Sequence, residues 1–173
     1  MYGDILERVG WETHFFFNAT EQTLEKELNI LVNEILNGKN IHLIDILIRG
    51  ERKNKIAEVY VDAEDMLDFD VLAEISRALN SKIDEQSFKD ELLKVVVSSP
   101  GVERPFKYVW QLKKHLNRIF EFTAEEKPLT GKLLDIDTDR NELKFSIIEK
   151  KKEVSEYINT FDKFVDLKVK LPF

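Results

Sequence analysis

The 173-residue chain contains no cysteine. Disulfides, zinc thiolates, iron–sulfur clusters and thiol catalysis are therefore excluded. Histidine is scarce: the three residues His14, His42 and His115 stand far apart, none with a second ligand at i+3 or i+4. They make no metal site by spacing. With only 4 prolines and 6 glycines, any cluster of the two reads as punctuation. No apolar run approaches the ~18 residues of a membrane span. Residues 1–10 carry Asp4 and Glu7 and no apolar leader segment, so a cytoplasmic address and no membrane partner are expected. Positive charge is in deficit, 26 Lys plus Arg against 33 Asp plus Glu, for a net charge of −7. That excludes nucleic-acid binding through bulk charge and leaves only a local basic patch, because counterion release needs clustered cations.

Catalytic signatures are missing as well. There is no phosphate-binding P-loop and no GxGxxG. Ser98 and Ser99 lie at a strand end without a Gly-x-Ser-x-Gly elbow, and no histidine is placed to serve them as base. Asp135-Ile136-Asp137-Thr138-Asp139 looks briefly like a calcium loop. Its sixth position is Arg140 and its twelfth Ser146, where Gly and a bidentate Glu are required. A polar hairpin fits better. No catalytic, cofactor-binding or metal-binding residue is assigned.

What is present is a foldable chain, 43% hydrophobic beneath 34% charged residues. Residues 1–18 form an N-terminal arm of uncertain structure, with Trp11, Phe15, Phe16 and Phe17 in no clear period. Asn18 or Thr20 then suits a helix N-cap, with Glu21 in capping-box position after Asn18. Leu24, Leu28, Leu31 and Ile35 make one helical stripe, and Gly38 suits the C′ position. Residues 41–48 alternate as a strand, with Ile44 and Ile46 on one face and Leu43 and Leu47 on the other. A polar turn over 50–54 leads to a second strand over 56–61, an antiparallel hairpin. Phe69, Leu72, Ile75 and Leu79 mark a second helix, started near Asp68 or Asp70. Residues 92–97 are continuously apolar, as in a buried strand. The order α-β-β-α-β predicts an N-terminal two-layer α+β domain over 19–103.

The segment Ser98-Ser99-Pro100-Gly101-Val102-Glu103-Arg104-Pro105 marks the boundary. Pro100 and Gly101 suit the central positions of a type II turn, in which glycine supplies the positive φ. A short helix around 110–115 follows, then five short strands near 118–123, 130–136, 143–148, 154–159 and 167–171. They predict a small β-barrel domain over 104–173. Cations gather at its start: Arg104, Lys107, Lys113, Lys114 and Arg118 against the single acid Glu103. A second cluster is Lys150-Lys151-Lys152. Such clusters on an acidic chain are either an anionic-partner footprint or a solvated face. Arg104 is the strongest candidate, since its fork suits phosphate or carboxylate; an acid such as Asp62 is its alternative partner within the chain.

Val97-Ser98-Ser99-Pro100-Gly101-Val102-Glu103-Arg104-Pro105-Phe106 closely resembles the signature of the bacterial ribosome maturation factor family RimP. Weaker similarities follow in the right order: Leu43-Ile44-Asp45, Val59-Tyr60-Val61-Asp62, Ser76-Arg77-Ala78-Leu79 with Asp84, and the closing stretch from Asp166 to Phe173. Together they run from about residue 20 to the end. The chain departs from the family at Val96, where an acid is frequent, and at Asn117-Arg118, where Gly-Lys or Gly-Arg is usual. The arm before Asn18 has no counterpart. The resemblance implies a C-terminal barrel of the Sm-like kind, no enzymatic activity, no cofactor and no small-molecule substrate. It implies an assembly factor whose partner is the small ribosomal subunit precursor, both ribosomal RNA and ribosomal proteins; a monomer is expected. Candidate contact or interdomain residues are Ser98, Ser99, Pro100, Gly101, Arg104, Lys107, Lys113, Lys114 and Arg118. The competing reading is a generic small-barrel interaction module outside ribosome assembly.

Overall fold

The computed structural model describes residues 23–102, 104–149 and 152–171. The expected N-caps at Asn18 and Thr20 and the aromatic arm lie outside them, as do Lys150 and Lys151. Two units divide the chain: one holds residues up to Val61 together with Asp68–Ser98, the other Asp62–Leu67 together with Ser99–Phe173.

The first unit is α+β in the order α-β-β-α-β. Helix α1 runs through residues 23–36 and buries Leu24, Leu28, Leu31, Val32 and Leu36, the wide stripe of a core-facing helix. It stops before Gly38, whose φ is +76°. Strands β1 (His42–Arg49) and β2 (Lys55–Asp62) are neighbours, and the turn between them is too short for a crossover, so they run antiparallel. Helix α2 (Phe69–Asp84) then carries the chain to β3 (Leu92–Ser98), which pairs with β2 in parallel. Lys82 to Glu34 and Lys39 to Glu74, both at 2.8 Å, tie α2 to α1 and its exit. Buried Ile44 and Ile46 of β1, Ala57, Val59 and Val61 of β2, and Ile75, Leu79 and Ile83 of α2 supply the core. Lys55, itself buried, meets Glu91 at 2.7 Å, where the β2–β3 ladder begins.

Two expectations fail here. Phe69 is not part of the buried stripe; at 83% exposed it stands in the first turn, and the stripe shifts to Ile75, Leu79 and Ile83. Residues 92–97 are not a fully buried strand. Among the described residues β3 ends a three-stranded sheet ordered β1-β2-β3, and the ladder skips Leu93 between the pairs Lys55–Leu92 and Ile56–Lys94, so Leu93 and Lys94 are both exposed and only Val95 is buried. A continuous apolar run does not distinguish an edge from a centre.

The second unit begins its regular structure with a 3-10 turn, Val109–His115. Five antiparallel strands follow: β4 (Ile119–Ala124), β5 (Lys127–Asp137), β6 (Glu142–Glu149), β7 (Lys152–Thr160) and β8 (Val165–Val169). Their order in the sheet is β7-β6-β5-β4-β8. Alternation places Phe120, Phe122 and Ala124 of β4, Leu143, Phe145 and Ile147 of β6, and Leu167 and Val169 of β8 in one core. Phe164, just before β8, packs on Phe122 of β4, Phe145 of β6 and Tyr157 of β7, at centroid distances of 5.1, 5.3 and 5.8 Å. Rings from both sides of the sheet therefore meet at one residue, and the sheet curls around it. Gly131 of β5 lets that curl form, because a Cβ there would sit 3.2 Å from Phe145 Cβ and from Ser146 O. The expected closed barrel is not found: among the described residues β7 and β8 share no ladder, and the sheet is open at both edges. At Asp135–Asn141 the polar hairpin forms, with Asp137 Oδ1 accepting from the N–H groups of Asp139 and Arg140 at 3.0 and 2.9 Å. No helix among the described residues is long and apolar enough to cross a membrane.

Candidate functional site

A 3-10 turn has three residues per turn, so side chains three apart stack in columns. Val109, Leu112 and His115 form the buried column of the Val109–His115 turn. Gln111 and Lys114 form a second, and both reach Asp62. Trp110, Lys113 and Leu116 form a third, with Trp110 and Lys113 half-buried and Leu116 exposed.

Asp62 is buried and well satisfied. Its carboxylate accepts from Lys114 Nζ, from Gln111 Nε2 at 3.0 Å and from the Ala63 N–H at 3.0 Å. Gln111 turns its other end to the backbone, where Oε1 accepts from the N–H groups of Lys107 and Tyr108 at 2.8 and 3.0 Å. These are orphan donors at the start of the turn, so one buried amide caps the turn and anchors it to residue 62. Lys113 pairs with Glu64 at 2.9 Å.

Beside this network is an open recess of about 130 Å³. Ser99, Pro100, Gly101 and Val102 form one wall; Met66, Leu67 and Phe106 supply further apolar surface; Lys114, His115 and Arg118 complete it. Gly101 holds φ +70°, and a Cβ there would meet nothing within 4 Å. Glycine is needed for the dihedral and not for space. Asn117, which precedes the first strand of the sheet, holds φ +66°, so asparagine fills a left-handed position that glycine would otherwise take.

His115 is buried against Phe106, with ring centroids 5.5 Å apart. Burial pushes its pKa down to about 4, helped by the charges of Lys114 and Arg118 and opposed by Asp62. The ring is thus neutral near pH 7. Its Nδ1 lies 3.3 Å from Arg118 Nη1, and since a guanidinium can only donate, Nδ1 accepts and Nε2 carries the proton. Arg118 is exposed, and among the described residues no carboxylate pairs with it.

The nine sequence candidates are therefore not equivalent. Ser98 closes β3 and belongs to the first unit. Ser99, Pro100, Gly101, Lys114 and Arg118 line the recess. Arg104 is half-buried and Lys107 exposed. Lys113 and Lys114 are held by acids of residues 62–67. Asp62, weighed only as a partner for Arg104, is instead the hub of the Gln111–Lys114 network. Gln111 itself gave no signal: its role depends on three-residue spacing from Lys114, which the charge map did not use. Among the described residues no three acidic or histidine side chains gather to hold a metal.

Residues 31–103 match the family model described as the RimP N-terminal domain. The match takes in the whole sheet of the first unit and the turn that walls the recess, so this stretch of the chain is similar to the N-terminal domain of the RimP family.

Proposed function

We propose that this protein is a non-enzymatic assembly factor that binds the immature small ribosomal subunit as a monomer in the cytoplasm and assists its late maturation. The observation that carries this reading is the RimP N-terminal domain match over residues 31–103. In this reading the curled five-stranded sheet is a small barrel of the Sm-like kind, completed by side-chain packing around Phe164 rather than by a closing ladder. Contacts go to ribosomal RNA and to ribosomal proteins together. Charge supports the shared load: the net charge is −7, and Lys113 and Lys114 are already offset by Glu64 and Asp62. Naked small-subunit RNA should bind weakly, with a salt slope of about 2–4 ions. The immature particle should bind far more tightly, because basic ribosomal proteins complement the acidic surface.

Gradient co-sedimentation of the tagged protein tests the proposal. Migration with free small subunits supports it; absence from ribosomal fractions favours a generic interaction module. Reversal of Lys107 and Lys113 to Glu is the informative charge variant, since Lys114→Glu would set a second carboxylate against buried Asp62 and report on folding.

A further inference from the structure

We propose that the recess beside the Ser99–Val102 wall binds one unpaired pyrimidine nucleotide of RNA, with the ring in the recess and its phosphate on Arg118. This deepens the reading above and rests on it.

Size, wall chemistry and charge agree on this occupant. A cavity of about 150 Å³ accommodates a single six-membered ring, and the recess offers about 130 Å³. A purine's fused rings would leave half the base outside. Pro100, Val102, Met66, Leu67 and Phe106 provide apolar surface for the faces of a flat ring, while Ser99 offers a hydroxyl for its polar edge. Lys114 is neutralised by Asp62, so Arg118 leaves the recess one net positive charge. One phosphodiester carries one negative charge. The guanidinium spends one N–H on His115 Nδ1 and keeps further donors for the phosphate oxygens, in the planar geometry that suits them. That contact also orients it, because His115 has no proton on Nδ1 to turn it away. A lone carboxylate from a protein partner would satisfy Arg118 but leave the ring-sized space empty.

The test is an amide NMR titration of the full chain with three probes: hexauridylate, hexaadenylate and N-acetylphenylalanine, which joins a ring to a carboxylate. Hexauridylate should shift Gly101, Val102, Phe106 and His115 and bind at least tenfold more tightly than hexaadenylate. Arg118→Gln should weaken hexauridylate at least tenfold, and Arg118→Lys should recover part of the loss. Met66→Asp, at a side chain 75% exposed, should abolish binding without disturbing the rest of the spectrum. Equal affinity for the two oligonucleotides, or shifts confined to other residues, overturns the proposal. Tighter binding of N-acetylphenylalanine also overturns it and makes the recess a peptide-carboxylate site. Co-sedimentation of the wild type separates the two readings. If no probe enters the recess while the wild type still migrates with small subunits, only the nucleotide site falls.

Discussion

Gln111 Nε2 donates to Asp62 Oδ2 across 3.0 Å, between residues 49 positions apart in sequence. The same side chain caps the turn that carries Lys107 to His115. Gln111→Leu keeps the bulk but strips one donor from a buried carboxylate and one acceptor from two N–H groups. A loss of about 1–3 kcal/mol is expected in urea unfolding. A neutral result would mean that water replaces the amide.

Lys114 is the sharper case, because it supplies the counter-charge to a carboxylate only 4% exposed. Lys114→Met should cost about 3–5 kcal/mol by leaving that charge uncompensated. Asp62→Asn in the same chain should restore much of the loss. If the double variant is no more stable than Lys114→Met, the pair is not the cause.

The β4–β5 hairpin turns through Glu125 and Glu126, both at positive φ, +50° and +63°. Two-residue turns of this hand favour Asn-Gly. Replacing the pair by Asn-Gly should raise stability by about 0.5–1 kcal/mol through relief of backbone strain. Thermal unfolding reads the change, and a lowered melting temperature would show that the two carboxylates have partners worth more than the strain.

His115 sets a pH dependence. Its ordinary pKa of 6.5 falls to about 4 in the folded protein, first through burial and then through Lys114 and Arg118. Between those values the unfolded chain binds a proton that the folded chain does not. Its contribution to stability is therefore complete above pH 6.5 and is lost as pH falls toward 4. Urea unfolding across this window should show proton uptake, reduced by up to one proton in His115→Gln. An unchanged slope in the variant would assign the acid sensitivity elsewhere.

Gly101→Val should destabilise by about 1–3 kcal/mol, from the dihedral alone, since the space around it is open. Gly101→Asn should cost less, as asparagine tolerates φ of this sign. Equal costs would point to crowding in place of backbone strain.

The succession of elements along the chain was legible because alternation at 42–49, 55–62 and 119–124 is clean, whereas the order of strands within each sheet was not. The start of β5 was missed: expected at Thr130, it begins at Lys127. Glu125-Glu126 is no turn signal, and Pro128 argues against a strand. The structure reconciles Pro128 with the sheet, since it pairs only with Thr123 of β4 and the β5–β6 ladder starts at Gly131. The recess was half legible. Its signature wall stands out in sequence, whereas Met66, Leu67 and Asp62 come from a linker that pattern alone assigns to the first unit. Counting cations could not show which were already paired, and that is a tertiary fact.

Residues 62–67 belong to the second unit, although the chain afterwards returns to the first for Asp68–Ser98. On a translating ribosome Asp62 emerges with β2, well before Gln111 and Lys114 exist to meet it. The linker must wait, charged and hydrated, while α2 and β3 are synthesised. Its own carboxylate keeps it in solvent during that interval, since burying an unpaired charge is costly. Nascent chains of increasing length should accordingly show protease protection of 62–67 only after Lys114 has left the exit tunnel.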